Sequence, residues 1–299
     1  MFKNVMVYRV ATEGSLGIEQ MESALGQMLF TPCSASQDKS MGWVPPRGQQ
    51  HGALVEAVAG QRILCFMIES KGVPGSVIKR HLDERLAQIE ASEGRKPGRK
   101  ESRELRDDIV QQLLPMAFAK TASVLVWLDM QAGRLVLDCG SQGKADEVIS
   151  ALVKCLPGLQ ISALNTQMAP QAAMTQWLTS SEEGWPRHFA PGREVELKSG
   201  DEMNSVVKFT RHHLDDEEMQ RHIAQGKLPT KLAMDWDGRV SFVLTESTQL
   251  KKVAFLDGVF EDNASAEDKG GFDTDVTIAT GELSALITDL IEALGGELV

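Results

Sequence analysis

The apolar residues of this 299-residue chain change repeatedly between the spacing of a strand and the spacing of a helix, which restricts the chain to a mixed fold. Val5 to Val10 has the composition of a strand. From Ile18 to Leu29 the apolar residues recur every three or four positions, as they do on one face of a helix. This alternation continues to the end of the chain without a repeat of about 20 to 50 residues. We therefore predict the α+β class.

Two segments with helical spacing are separated by the sequence Gly-Arg-Lys-Pro-Gly-Arg-Lys at residues 94–100. A helix cannot continue through Pro97, because proline lacks the amide N–H and its ring clashes with the preceding turn. The first segment has Ser76 at the position of an N-cap, and the second carries its apolar residues from Leu105 to Leu114. We predict a helical hairpin with a basic turn, since Gly94 to Arg106 contains six cationic and two acidic residues.

Two further segments give local predictions. Pro45 and Pro46 exclude a helix and a central strand, so we expect residues 41–46 to hold Trp43 in a rigid extended loop. Asp275 to Ala279 is rich in β-branched residues and is predicted to form the last strand. An amphipathic terminal helix follows it, up to Gly295 and Gly296.

The best candidate for a boundary within the chain is Asn165 to Gly192, which is rich in Gln, Ser, Pro and Gly. A cut near residue 167 gives three parts. Residues 1–70 and 120–167 are predicted to form an N-terminal mixed α+β region, and residues 71–119 form the helical hairpin inserted in it. Residues 168–299 are predicted to form a C-terminal α+β region with an acidic last third.

The net charge of -11 argues at first against nucleic acid as a partner, because phosphate is repelled by a uniformly acidic surface. The charge is segregated, however. Leu232 to Val299 contains 14 acidic and 4 basic residues, so the remaining 231 residues together carry a charge of only -1. One local surface of the folded protein can therefore be basic.

Two groups of basic residues are candidates for contacts with phosphate. They are Lys208, Arg211, Lys227 and Lys231 in the second half of the chain, and Arg95, Lys96, Arg99 and Lys100 in the turn of the hairpin. Exposed charges are usually only solvated, so the clustering rather than any single residue favours a function. The sequence has no motif of the kind that reads bases in a DNA groove, and we do not predict sequence-specific recognition.

Motifs of nucleotide-binding and acyl-transfer enzymes are missing: there is no G-x-x-x-x-G-K-[ST], no G-x-G-x-x-G and no G-x-S-x-G. One enzymatic alternative stays open. Glu196-Leu197-Lys198 has the (Asp/Glu)-x-Lys form of metal-dependent nucleases, in which a carboxylate such as Asp235 would help to hold Mg²⁺. Such tripeptides are common by chance, and we expect a protein that is not an enzyme and has no resident cofactor or metal.

The cellular compartment is indicated by the cysteines and by the N-terminus. Cys33, Cys65, Cys139 and Cys155 are widely spaced and form no C-x-x-C pair, which is typical of free thiols in a reducing cytosol. The N-terminus lacks the apolar region of a signal peptide, and no apolar stretch approaches the roughly 18 residues of a membrane span. We expect a cytoplasmic protein with no membrane partner.

Several longer motifs, taken together and in this order, resemble the RdgC family of recombination-associated proteins. They are Met1 to Arg9, Phe30 to Cys33 with Met41 to Pro46, Leu113 to Phe118, Thr230 to Trp236, and Thr280 to Leu283 with Leu294 to Glu297. The resemblance spans the whole chain.

The resemblance implies a non-enzymatic, nucleoid-associated bacterial protein that binds duplex DNA without sequence preference. It also implies antagonism of a RecA-type recombinase during recombination and replication. Members of the family are expected to be elongated, horseshoe-like subunits with a projecting helical hairpin, and a homodimer is expected to close into a ring with a basic hole. Such a hole would reconcile an acidic protein with a DNA partner.

The resemblance also implies roles for particular residues. Phe118 corresponds to an aromatic residue at the ring-closing dimer contact, and Lys208 and Arg211 correspond to cations that contact DNA. Arg95 to Lys100 fall in a finger-like projection. Two alternatives stay open beside this hypothesis: the Mg²⁺-dependent nuclease with Glu196 and Lys198, and a protein-interaction module that binds the recombinase directly.

Overall fold

The computed structural model confirms the mixed α+β class. It describes residues 2–12, 14, 16–180, 184–200, 205–211, 217–256, 258–259 and 271–298. The strands in these ranges are β1 (Val5–Thr12), β2 (Lys39–Val44), β3 (Glu56–Val58), β4 (Gln61–Lys71), β5 (Ala119–Asp129), β6 (Arg134–Asp138), β7 (Leu159–Ala163), β8 (Phe189–Ser199), β9 (Val206–Thr210), β10 (Lys227–Trp236), β11 (Val240–Thr245) and β12 (Leu250–Phe255). The helices are α1 (Ile18–Leu25), α2 (Gly75–Glu93), α3 (Arg99–Leu113), α4 (Gln142–Cys155), α5 (Pro170–Thr179), α6 (Glu217–Ala224) and α7 (Phe272–Ala293).

The twelve described strands form one antiparallel sheet in the order β2-β4-β5-β6-β1-β12-β11-β10-β8-β9. β3 pairs with β4, and β7 pairs with the second half of β1 on the side opposite β6, where β12 meets the start of β1. β1 joins the two halves of the sheet, because Val5 also pairs with Leu250 of β12. The sheet is therefore continuous across residue 167, and the division into regions stays a prediction.

Alternate residues of the strands face two hydrophobic clusters on opposite sides of the sheet. Leu64 and Val126 belong to one cluster, together with buried residues of α1 and α4. Their neighbours Ile63 and Trp127 belong to the other, together with α5, α7 and Leu232 of β10. Helices thus cover both faces of the first half of the sheet.

In the second half of the sheet the two faces differ. The face that carries Val195, Leu232 and Met234 packs into the cluster with α5, α6 and α7. The opposite face, which we call the open face, is formed by Glu194, Glu196, Lys198, Val206, Lys208, Thr210, Leu228, Lys231, Ala233, Lys251 and Lys252. None of these residues belongs to either hydrophobic cluster. The open face therefore carries most of its charged side chains without a covering helix.

The helical hairpin is confirmed. α2 ends at Gly94 in the left-handed conformation, with φ of 68°, and α3 begins at Arg99 after Pro97 and Gly98. Within the two helices only Ile78 and Ile109 are buried. The hairpin therefore projects from the ends of β4 and β5, where Lys71 pairs with Ala119. The cap of α2 is Pro74 and not Ser76, so the prediction of Ser76 as N-cap was wrong.

The predicted strand at Asp275 to Ala279 is wrong, because these residues lie in the first two turns of α7. Val276, Ala279 and Leu283 are fully buried and recur at spacings of three and four, so they lie on one helical face. Burial of this face overrides the preference of β-branched residues for strands. No described helix combines the length and the apolar composition needed to cross a bilayer.

The predicted loop around Trp43 is instead the edge strand β2, which ends at Val44 just before the two prolines. Trp43 is buried against Phe66. The amide of Phe30 donates to the carbonyl oxygen of Trp43 at 3.0 Å. A Cβ on Gly42 would lie 2.5 Å from the nitrogen of Phe30, so only glycine allows this approach.

Candidate nucleic-acid interface

Three charged residues lie side by side on the open face because of strand register. Lys208 of β9 and Lys231 of β10 both pair with Glu196 of the intervening strand β8. Cross-strand partners point to the same side of a sheet. Lys208 Nζ lies 2.8 Å from Glu196 Oε2, and Lys231 Nζ lies 3.0 Å from both carboxylate oxygens. We call these three residues the Glu196 triad.

A β-bulge adds a third donor to the carboxylate. The register of β10 against β8 shifts between Pro229 and Lys231, so Thr230 and Lys231 both reach Glu196. The hydroxyl of the buried Thr230 donates to Glu196 Oε1 at 3.0 Å. The carboxylate is thus held on three sides by donors from two strands.

These donors keep Glu196 ionised. The hydrogen bond from Lys208, with those from Lys231 and Thr230, lowers the pKa of Glu196 to about 2, although partial burial acts in the opposite direction. The same contact raises the pKa of Lys208. The triad therefore carries a net charge of +1 across the neutral pH range.

A second ion pair spans the open face. Lys252 Nζ lies 2.7 Å from Glu194 Oε2, although β11 and β10 lie between their strands. Lys252 has a left-handed φ of 53° and lies at a shift in the register of β12 against β11. Side chains stand roughly perpendicular to a sheet, so a pair across two strands closes because the open face curves inward. The small side chain of Ala233 lies between the two.

A groove of about 320 Å³ continues the open face toward the first half of the sheet. It is lined by Lys198, Lys231 and Lys251 together with Glu196 and Glu246, and Gly140 closes its end. Cations in a concave surface attract an anionic polymer more strongly than the same cations on a flat one. The chemistry of this surface fits a phosphate backbone.

The structure brings together only some of the four basic residues predicted in the second half. Lys208 and Lys231 share the open face, and Arg211 is exposed at the end of β9 with a left-handed φ of 58°. Lys227 lies on the opposite face, where its Nζ is 3.4 Å from Nδ1 of His222 in α6. Lys227 therefore does not share the open face with Lys231, and its contact with phosphate stays a prediction.

Sequence reasoning missed Lys251 and Lys252, and it assigned Lys198 only to a nuclease. Lys251 and Lys252 are two of the four basic residues in the acidic segment Leu232 to Val299, so the balance of charge concealed them. The one signal that could have found them is the pair of adjacent lysines itself, at the start of the apolar segment Val253 to Leu256. With Lys208 and Lys231, the open face carries five lysines against Glu194 and Glu196.

The cations predicted in the hairpin turn are exposed, and three of them pair with carboxylates of the hairpin itself. The pairs are Arg95 with Glu93 and Glu101, Lys96 with Glu90, and Lys100 with Glu104, at N–O distances from 2.7 to 3.9 Å. The bidentate contact with Glu101 raises the pKa of Arg95. Arg99 shows no ion pair among the residues that the structure describes. The turn is thus less basic than its sequence indicates.

Phe118 is 91% exposed in the segment between α3 and β5, and nearby Met116 is 70% exposed. An ordinary core role for Phe118 is thereby excluded. Two large apolar side chains exposed so close together are typical of a contact surface. The surface lies at the base of the hairpin, next to the first residue of β5.

The residues of the nuclease alternative do not form a metal site. Glu196 and Lys198 share the open face, but the Glu196 carboxylate is occupied by two lysines and Thr230. Asp235 is four residues from Lys231 along β10, about 13 Å at the rise of a strand, and it accepts the amide N–H of Gly238. Among the described residues no group of three or more His, Cys, Asp or Glu side chains is placed to hold a metal ion.

Comparison with known proteins agrees with the motifs. Residues 1–297 match the sequence profile of the family described as "RdgC: Putative exonuclease, RdgC". The chain is 43% identical to the recombination-associated protein RdgC of Herminiimonas arsenicoxydans over 298 residues, which cover 99% of the chain and 98% of that protein. It is 40% identical to the protein of the same name from Dechloromonas aromatica, over 100% of the chain and 98% of the relative. From end to end, the chain is a member of the RdgC family of recombination-associated proteins, as its motifs predicted.

Proposed function

We propose that this protein binds duplex DNA without sequence preference, as a ring-shaped homodimer, and that it negatively regulates a RecA-type recombinase in recombination and replication. The observation that carries the proposal is the open face: five lysines on one concave sheet surface of a chain with a net charge of -11. Lysine binds phosphate as a point charge and reads no base. Binding to the backbone alone is therefore independent of sequence.

The exposed surface of Met116 and Phe118 supports the dimer. A large aromatic side chain that is almost wholly exposed is suited to be the anchor of an interface, where it fills a pocket of the partner. In a ring the two open faces would face a shared hole. Horseshoe-like subunits closed in this way would retain DNA by topology as well as by charge.

In this proposal the protein regulates the recombinase by occupying its DNA. A recombinase filament needs continuous access to DNA, so a ring that encloses the duplex would limit assembly of the filament or strand exchange. This role requires no catalysis, and the engaged Glu196 carboxylate supports a protein that is not an enzyme. We place the protein in the cytoplasm, associated with the nucleoid.

The test compares linear duplexes and covalently closed circular duplexes of equal length, with Mg²⁺ present, as salt is raised. If about six phosphates are neutralised, the logarithm of affinity should fall against the logarithm of salt with a slope near -5. Retention on circles at high salt, with release from linear ends and no cutting, is the expected result. Equal loss of the protein from linear and circular duplexes would indicate that it binds DNA through a basic surface without enclosing it.

Variants and a recombinase assay distinguish the alternatives. DNA that is nicked or shortened by wild type but stays intact with Glu196→Ala would support the Mg²⁺-dependent nuclease. Inhibition of a RecA-type recombinase that persists after charge reversal at Lys208 and Lys231 would support direct contact with the recombinase. A slope near zero would remove the electrostatic mechanism.

A further inference from the structure

We propose that Glu196 is a built-in competitor for phosphate, which occupies Lys208 and Lys231 and thereby limits the affinity of the open face for DNA. The inference rests on the proposed binding of DNA at the open face. It assigns a role to an acidic residue at the centre of a basic surface, where a binding protein selected only for affinity would have none.

The geometry of the triad supports competition. A carboxylate and a phosphate offer the same kind of anionic oxygen to an ammonium group. Lys208 Nζ and Lys231 Nζ both point their hydrogen bonds at Glu196, at 2.8 Å and 3.0 Å. A phosphate that enters between the two lysines must share or displace these bonds.

Accessibility supports it as well. The side chains of Lys208 and Lys231 are 61% and 38% exposed, whereas that of Glu196 is 17% exposed. The carboxylate thus lies beneath the two ammonium groups, which remain open to a ligand from solvent. DNA can reach the lysines without any movement of the backbone.

The charges on the open face indicate how strongly Glu196 reduces the affinity for DNA. With Glu196 ionised the triad offers a phosphate a net charge of +1, and without it the same two lysines offer +2. Glu194 and Lys252 repeat the arrangement and cancel each other. Glu194 and Glu196 therefore reduce the charge of the five lysines from +5 to +3, and Asp235 on the same side of β10 and Glu246 in the adjoining groove reduce it further. This reduction lets a protein that binds any sequence release DNA readily.

The test measures duplex affinity for the full-length Glu196→Gln variant against wild type over a range of salt. Glutamine keeps the size of the side chain and an acceptor for Thr230, but it removes the charge. We expect affinity to rise by about threefold or more, with a salt slope steeper by about one for each subunit. Glu292→Gln is the matched control, because Glu292 is exposed on α7 behind the opposite face. It should stay near wild type.

A double-mutant cycle isolates competition from general charge. In a Lys208→Met and Lys231→Met background, Glu196→Gln should give no more gain than Glu292→Gln. Unchanged or weaker binding by Glu196→Gln, with the variant shown by circular dichroism to be folded at the temperature of the assay, would overturn the proposal. A gain above that of Glu292→Gln that persists in the Lys208→Met, Lys231→Met background would overturn it too.

A second variant covers the case in which glutamine disturbs the sheet. Glu196→Asp keeps the charge but is one methylene shorter, so it cannot hold both ammonium groups as Glu196 does. Affinity above wild type supports competition, and affinity below wild type indicates that Glu196 only positions the lysines. If wild type binds DNA and neither variant gains, the inference alone fails. If no protein binds DNA, the proposed function fails and the inference fails with it.

Discussion

Trp236 donates its indole N–H to the carboxylate of Asp289 at 2.8 Å, and this hydrogen bond joins strand β10 to helix α7. Trp236 is 5% exposed and the hydrogen bond is partly buried, so removal of the acceptor leaves the indole N–H without its protein partner in a largely enclosed position. The first prediction follows from this contact. Asp289→Ala should lower the free energy of unfolding by about 1–3 kcal/mol, the cost of an unsatisfied buried donor.

Urea unfolding followed by tryptophan fluorescence measures the change. Asp289→Asn is the matched control, because its amide oxygen can still accept the indole N–H, and it should lose much less. Equal losses for the two variants would show that the hydrogen bond is not the cause.

The second prediction concerns Phe118. Phe118→Ser should weaken the homodimer while leaving the stability of the subunit unchanged, since a side chain that is 91% exposed contributes little to the fold. Sedimentation over a range of concentration measures the dimer. Leu29→Ser, at a residue 54% exposed and far along the chain, is the control. Identical dimer dissociation constants for wild type and Phe118→Ser would reject the anchor role.

The third prediction separates the two faces of the sheet. Lys208→Met with Lys231→Met should weaken DNA binding by a similar factor for every sequence tested, and it should flatten the salt slope by about one for each phosphate that is no longer neutralised. The matched comparison is between single variants: Lys231→Met should weaken binding, whereas Lys227→Met removes one positive charge from the helix-covered face, beside His222, and should bind almost as wild type. Equal effects of Lys227 and Lys231 would show that net charge matters and the open face does not.

The fourth prediction is a dependence of stability on pH. Glu196 has a pKa of about 2 in the folded protein, below the usual value of 4.5. Its contribution to stability is therefore complete above pH 4.5 and is lost as pH falls from 4.5 toward 2. The difference in unfolding free energy between wild type and Glu196→Gln should be largest near neutral pH and should shrink within that window. A difference that stays constant down to pH 2 would contradict the ion pairs.

The fifth prediction uses two glycines with opposite surroundings. Gly281 lies inside α7, and a Cβ built on it meets no atom within 4 Å. Gly281→Ala should raise the free energy of unfolding by about 0.5–1 kcal/mol, because alanine loses less backbone entropy in a helix. Gly42→Ala should instead destabilise the protein, since its Cβ would lie 2.5 Å from the nitrogen of Phe30. Thermal unfolding of the two variants should show shifts of opposite sign.

Local pattern was enough to predict much of the fold. The hairpin of α2 and α3, the β5–β6 pair around Gly133 and the helix α4 all follow from apolar spacing and from breaker residues in one short window. The error at Asp275 to Ala279 has the same source, because a window of five residues, three of them β-branched, is short enough to fit either structure. Packing of this segment against the sheet determines that it is a helix.

The candidate site could be predicted only in part, because it depends on register between distant strands. Lys231 and Lys227 are four residues apart, so an uninterrupted strand would place both on one face. The bulge at Thr230 adds one residue and moves Lys227 to the other face. Glu196, Lys208 and Lys252 meet on the open face only because β8, β9 and β12 belong to the same sheet.

Gly42 and Phe30 belong to two of the motifs by which the sequence is recognised, and in the folded protein they are one contact. The two motifs are separate in the sequence, but the backbone of Phe30 and the backbone of Gly42 are in direct contact at the edge of the sheet. A relative that kept one of the two motifs and lacked the other would need a different backbone contact at this edge of the sheet. The two motifs are therefore expected to be inherited, or to disappear, as a pair.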